Sequence, residues 1–140
     1  MTDSDLSGRL TAIGHELRQR VYFEDTDFSG RVYHARYLQF LERGRTDFLR
    51  LKGVHHHELA NEGLAFAVTR MELDFRAAAS IDDILTVSSR LMKAGGARIV
   101  VEQAIHCGGR LIVSAQVTAA LIDAAGKPAR LPAPVRAAFA

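Results

Sequence analysis

Carboxylates, a glycine and an imidazole crowd into one short stretch of this sequence, Glu24-Asp25-Thr26-Asp27-Phe28-Ser29-Gly30-Arg31-Val32-Tyr33-His34. The stretch lies directly ahead of a segment with helical spacing, and a helix start gathers unpaired backbone N–H groups and a partial positive charge. A carboxylate held near such donors can attack a carbonyl, or activate water toward it, while the donors stabilise the oxyanion that develops. The same residues also suit a plain structural purpose, because aspartate shapes turns and favours the positive end of a helix dipole. Other chemistries leave no mark: there is no Gly-x-Ser-x-Gly elbow, no phosphate-cradling loop and no dinucleotide fingerprint. His55, His56 and His57 suggest a metal, but adjacent side chains point in different directions and no further ligand recurs nearby at zinc spacing. No metal site is expected.

The elements that must hold this stretch are legible in the periodicity. Leu17, Gln19, Val21 and Phe23 alternate with Arg18, Arg20, Tyr22 and Glu24, which predicts a first strand. Downstream, Tyr37, Phe40, Leu41, Gly44, Phe48 and Leu51 recur at helical spacing. Glu42 with Arg45, Arg43 with Asp47, and Asp47 with Arg50 place opposite charges three or four residues apart, and Gly53 stops the helix. Gly44 falls on the apolar face, where glycine costs roughly 1 kcal/mol relative to alanine, so the helix is expected to approach a sheet closely there.

A short helical turn is expected over residues 57–61, then a half-buried strand in which Met71, Leu73 and Phe75 alternate with charged neighbours. Three more strands are predicted over residues 84–93, 98–107 and 111–123, separated by turns at Gly95-Gly96 and Gly108-Gly109. Consecutive antiparallel hairpins, a four-strand meander, are the economical topology. A last helical turn is expected over residues 135–139, and residues 1–13 read as loosely ordered. Together these elements predict an α+β domain spanning residues 1–140, in which an antiparallel sheet of about five strands wraps around one long helix. The sheet's outer face and edges call for oligomers.

Composition narrows the function classes. Eighteen basic residues are spread among sixteen acidic ones for a net charge of +2, which offers no footprint for nucleic acid. An apolar content of 48% with 24% charged residues suits a globular core and not disorder. The single cysteine, Cys107, cannot form an intramolecular bridge, sits in an alternating apolar run and points to a reducing compartment. The polar, acidic N-terminus lacks a secretory pattern, so a cytoplasmic protein is expected. The most apolar window, residues 111–125, is interrupted by Ser114, Gln116, Thr118 and Asp123 and falls short of the roughly 20 apolar residues a spanning helix needs. No membrane insertion is expected.

Val21-Tyr22-Phe23-Glu24-Asp25-Thr26-Asp27, followed by Gly30, Tyr33-His34-Ala35 and Tyr37, resembles the acyl-coenzyme A thioesterases of the hotdog superfamily, of the 4-hydroxybenzoyl-CoA type. Within it, the chain is most similar to the bacterial Tol-Pal-cluster branch. The likeness continues through Phe40-Leu41-Glu42-Arg43-Gly44-Arg45-Thr46, Ala65-Phe66-Ala67-Val68, Asp82-Asp83 and Leu131-Pro132. The resemblance implies a curved antiparallel sheet around the helix, paired into a homodimer with active sites at the subunit interface, and often into a dimer of dimers. It places the catalytic aspartate on Asp27 and the motif histidine on His34, whose backbone N–H would polarise the thioester carbonyl. Asp25 would be structural.

The same resemblance implies an acyl-CoA substrate, or one carried on acyl carrier protein, and no cofactor beyond the coenzyme A of the substrate itself. Tyr33 and Tyr37 are candidate substrate contacts. Lys93 and Arg98, flanking the Gly95-Gly96 turn, are candidate contacts for coenzyme A phosphates, although solvated surface charge is the ordinary role of such residues. Phe23 stands where that branch often carries tyrosine, which bears on substrate preference more than on the reaction. Glu42 is an alternative acid, since another hotdog lineage uses a carboxylate on the central helix, but Arg43 and Arg45 favour a salt-bridged role. An acyl-thioester dehydratase would carry a His-Phe-Pro motif, absent from this sequence. A non-catalytic acyl-CoA or acyl-carrier-protein binding module is the alternative from another class.

Overall fold

A computed structural model describes residues 6–138. Along the chain run β1 (Arg9–Leu10), β2 (His15–Arg20), a 3-10 turn (Phe23–Asp25), α1 (His34–Leu51), α2 (His56–Asn61), β3 (Ala65–Phe75), β4 (Ile84–Gly95), β5 (Arg98–Cys107), β6 (Arg110–Ile122) and α3 (Ala133–Ala138). The strands form one six-stranded antiparallel sheet in the order β1-β2-β4-β5-β6-β3.

The sixth strand is the two-residue β1, which pairs Arg9 with Glu16 and Leu10 with His15. It lies inside the stretch expected to be loosely ordered, of which residues 1–5 lie outside the described residues. A tight turn makes the difference: the Thr11 N–H donates to the Gly14 carbonyl at 2.8 Å, and the Gly14 N–H donates to Thr11 Oγ1 at 3.0 Å. The expected final turn reaches Ala138, and Phe139 lies outside the described residues.

Two expectations are corrected. The first strand ends at Arg20, and Phe23 enters the 3-10 turn. There the Asp25 carboxylate accepts the Tyr22 N–H at 2.9 Å, a local side-chain bond that competes with the sheet ladder. The strands after the helix do not run as a four-strand meander. β4, β5 and β6 are consecutive hairpins, but β3 pairs with β6, from Ala65↔Ile122 to Phe75↔Val113, while β2 takes the free side of β4. The link over residues 76–83 is too long for a tight hairpin, and it carries Ala79 under the helix, where it is fully buried.

Helix α1 lies across the inner face of the sheet, and two apolar clusters mark its two ends. Tyr37, Phe40 and Leu41 pack with Leu85, Val87, Ile105 and Val113, whereas Leu49 packs with Ile99, Val101, Leu121 and Leu131. Gly44 sits at the crossing point. A Cβ there would lie 2.7 Å from Val87 Cγ1, so only glycine lets the helix approach this closely. Beside it the buried Gln103 donates to the Leu41 carbonyl and to Ser89 Oγ, both at 2.9 Å, and accepts from Arg45 Nη1 at 3.1 Å.

On β3 the residues paired with inward positions of β6 are Phe66, Val68, Met71, Leu73 and Phe75; a bulge between Val68 and Arg70 preserves that facing. The helix leaves this edge partly uncovered, with Val68 46% and Phe75 50% exposed. Among the described residues no helix is long and apolar enough to cross a membrane.

Candidate active site

The acidic motif folds into a small hairpin between the 3-10 turn and α1. Thr26 bridges Val32, the Asp27 N–H donates to the Arg31 carbonyl at 2.9 Å, and the Tyr33 N–H donates to the Asp25 carbonyl at 2.9 Å. The tip is a turn closed by the Gly30 N–H on the Asp27 carbonyl at 3.1 Å, with Gly30 at φ +79°, a conformation that glycine adopts without strain. Asp27 therefore sits on the outgoing arm, and the returning arm leads into His34, the first residue of α1. The His34 N–H has no acceptor within its own helix and adds to the positive end of the dipole.

Asp27 is exposed, and one carboxylate oxygen is held firmly. Oδ1 accepts the Ser29 hydroxyl at 2.5 Å and the Ser29 N–H at 2.8 Å. Both Ser29 bonds fall on Oδ1, and among the described residues no other side chain or neighbouring N–H bonds Oδ2. The Ser29 hydroxyl, then the Ser29 N–H, hold the carboxyl below its ordinary range against an opposing desolvation, with the Arg31 charge a lesser lowering influence. The group is thus anionic at neutral pH. Val21 and the link before β4 support the hairpin from below: the Val21 N–H donates to the Asp83 carbonyl, and Arg31 bridges Ser80.

The His34 ring is exposed and lies between Tyr33, at 4.7 Å between centroids, and the edge of Phe75, at 6.2 Å. Tyr33 is half-exposed at the same mouth. Tyr37 is placed otherwise: it is buried, its ring lies 6.1 Å from Phe75, and its hydroxyl accepts the Ala79 N–H at 3.0 Å. Burial pushes its phenol up, so the hydroxyl stays protonated. Tyr37 anchors the link over residues 76–83 to the helix and supports Phe75 from beneath.

Lys93 and Arg98 are exposed on the β4–β5 hairpin, where Lys93 pairs with Val100 and Gly95 with Arg98. That hairpin packs with the C-terminal cluster: the Leu131 N–H donates to the Gly96 carbonyl. β4 leaves the Asp27 end at Ile84, so Lys93 is roughly 30 Å along the strand from it. One chain does not bring these two cations together with Asp27. The cations at the motif itself are Arg31 and Arg36, the latter donating to the Glu24 carbonyl at 3.2 Å.

Two residues escaped the sequence reading of the site. Ser29 was legible in principle, since Asp-x-Ser is an Asx-turn pattern in which the aspartate side chain takes an N–H two residues on. Phe75 was legible only as a strand residue; its place beside His34 depends on the pairing of β3 with β6. Glu42 is exposed on α1, and its charge reaches Arg45 and His56. In the histidine run, the His55 and His57 rings lie 5.8 Å apart while His56 turns toward the edge of Phe66. Among the described residues no three potential ligands converge. Cys107 is partly buried against the first apolar cluster.

Comparison with known proteins gives concordant findings. The family model described as the thioesterase-like superfamily matches residues 21–139. The acyl-CoA thioesterase YbgC of Haemophilus influenzae is 41% identical over 128 residues, covering 90% of this chain and 94% of that protein. Among solved structures, a probable thioesterase from Bartonella henselae is 48% identical with a TM-score of 0.78, covering 86% of this chain and 99% of that one. A 1,4-dihydroxy-2-naphthoyl-CoA thioesterase from Synechocystis superposes with a TM-score of 0.82 at 26% identity, covering 89% and 93%.

Proposed function

Because the chain belongs to the thioesterase-like superfamily, we propose that it hydrolyses acyl-coenzyme A thioesters through Asp27. The observation that carries the catalytic assignment is the state of that carboxylate: anionic, tethered through Oδ1 to Ser29, with Oδ2 open to solvent beside the start of α1. The fold is the hotdog arrangement, a curved sheet around one long helix.

The substrate carbonyl oxygen lies against the His34 N–H at the helix start, and the carbonyl carbon faces Asp27. As charge develops on the oxygen, the backbone donor and the helix dipole stabilise it. Asp27 then acts in one of two ways. As nucleophile it bonds to the acyl carbon, expels the coenzyme A thiolate and leaves a mixed anhydride that water cleaves. As general base it takes a proton from water while the water oxygen attacks the same carbon. Either route ends in a carboxylic acid and free coenzyme A, and calls on no cofactor. The imidazole of His34 and the half-exposed Tyr33 shape the acyl mouth; Tyr37 acts through Phe75 and the Ala79 link.

The half-covered apolar face of β3, with Val68 and Phe75, and the open edge of that strand support a homodimer or a dimer of dimers. Such pairing is also the means by which Lys93 and Arg98 of one subunit could approach the coenzyme A held by another. Acyl carrier protein is a second thioester carrier this mouth would accept. We place the protein in the cytoplasm, where acyl-CoA is found.

The test is thiol release, followed with a thiol-reactive dye on short-chain, long-chain and aromatic acyl-CoA, for the wild type and Asp27→Asn. Loss of at least about a hundredfold in the variant, about 2.7 kcal/mol of transition-state stabilisation, supports the carboxylate mechanism. A folded wild type that binds acyl-CoA without releasing thiol would instead make the protein a binding module.

A further inference from the structure

Asp25 is a buried carboxylate at the base of the hairpin that carries Asp27, its side chain 7% exposed, and its N–H donates to the Tyr22 carbonyl at 3.0 Å. Oδ2 accepts the Tyr22 N–H at 2.9 Å, the carbonyl accepts the Tyr33 N–H at 2.9 Å, and Oδ1 lies 3.8 Å from Arg36 Nε. Arg36 stands in the first turn of α1, two residues beyond His34. Its guanidinium reaches back twelve positions to the 3-10 turn, where Nη2 donates to the Glu24 carbonyl at 3.2 Å, and Nη1 is steadied by Gln39 Oε1 at 2.7 Å. One side chain thus clasps the base of the hairpin to the helix whose first N–H faces the reacting carbonyl.

We propose that Arg36 is a positioning residue, which fixes the separation of the Asp27 carboxylate from the α1 N-terminus by clamping Glu24 and Asp25 to the helix. The inference rests on Asp27 being the reacting carboxylate. The main-chain ladder of the hairpin holds its two arms to each other, through Asp27 with Arg31 and Thr26 with Val32, but it does not set the tilt of the hairpin against the helix. The returning arm is tied to the 76–83 link by the Val32 N–H on the Ala79 carbonyl at 2.9 Å and by the Arg31–Ser80 bridge, and at the base the Tyr33–Asp25 bond and Arg36 tie the outgoing arm to the start of the helix. A displacement of about 1 Å at reacting atoms can cost roughly a hundredfold in rate. Arg36 acts by geometry and not by charge on the reacting group, since the groups that hold the Asp27 carboxyl down are Ser29 and Arg31.

The experiment is steady-state kinetics of the full chain on whichever acyl-CoA the wild type turns over fastest, with melting curves for every variant. For Arg36→Ala the expected result is a fall in kcat of about tenfold or more with KM within about twofold and the acid limb of the pH profile unmoved. Arg36→Lys, whose ammonium still reaches the Glu24 carbonyl and the Asp25 carboxylate, should recover part of the loss. Gln39→Ala, which removes only the outer contact, should leave both constants near wild type. A raised KM at unchanged kcat would mean that Arg36 meets the substrate, and an unchanged kcat would mean that the clamp positions nothing; either overturns the inference. If Arg36→Ala does not fold, Arg36→Gln, which keeps an N–H donor near Glu24, carries the same test. A wild type without turnover removes the hydrolase reading itself, whereas a wild type that turns over beside an unimpaired Arg36→Ala removes only the clamp.

Discussion

Ser29 donates twice to one oxygen of Asp27, through its hydroxyl at 2.5 Å and its N–H at 2.8 Å, and so holds that carboxyl below its ordinary range while leaving the other oxygen to solvent. The hydroxyl is the larger influence holding the acid down. Ser29→Ala removes it and keeps the N–H. Under the proposed mechanism activity requires ionised Asp27, so it should be lost as pH falls through the Asp27 pKa. That pKa lies below the ordinary value in the wild type, and the variant's acid limb should therefore move to higher pH, toward the ordinary aspartate range. A kcat/KM profile on a single acyl-CoA checks the direction; an unmoved limb would mean that the Ser29 hydroxyl does not hold down the group whose ionisation the profile reports.

Tyr37 offers a contrast between support and substrate contact. Tyr37→Phe keeps the ring against Phe40 and Phe75 but leaves the buried Ala79 N–H without its acceptor. A loss of about 1–3 kcal/mol in stability is expected, with KM little changed. Urea melts and KM together decide this, since a raised KM at full stability would place the hydroxyl on the substrate.

Gly44 marks the closest approach of α1 to the sheet. Gly44→Ala gains roughly 1 kcal/mol in helix propensity but drives a Cβ to 2.7 Å from Val87 Cγ1, an overpacking that costs about 1–3 kcal/mol. The melting temperature should fall. Adding Val87→Ala makes room for the new methyl, so the pair should be less damaging than the sum of the single changes, a coupling that a double-mutant cycle measures.

The apolar edge of β3 is the surface on which the assembly is expected to depend. Val68→Glu places a charge on a position already 46% exposed, so the isolated chain should tolerate it, whereas a subunit interface would not. Light scattering should show a smaller particle with a native circular dichroism spectrum. Activity should fall with assembly, because the active sites are expected at the subunit interface. An unchanged particle size would move the interface away from this edge.

The alternation of Met71, Leu73 and Phe75, the helical spacing from Tyr37 to Leu51 and the paired glycines at 95–96 and 108–109 were enough to place the main elements, because period and turn chemistry are local properties of the chain. Gly44 could be interpreted in the same way, as a glycine whose propensity cost has a packing reason, and Val87 supplies that reason. The acidic motif could be located but not resolved. Alternation carried the first strand through Phe23, whereas the Asp25 carboxylate claims the Tyr22 N–H and bends the chain into a 3-10 turn.

The sequence by itself determined the elements, the motif that precedes α1 and the family to which the chain is related, since each is written in neighbouring residue types. Tertiary structure alone decided that β3 crosses to β6, that Phe75 comes beside His34, that Tyr37 is buried beneath the mouth, and that Lys93 and Arg98 lie at the far end of the sheet from Asp27. These are relations between residues distant along the chain. They follow from which sheet edge is free and which apolar faces must be covered together, a global balance that no local spacing expresses.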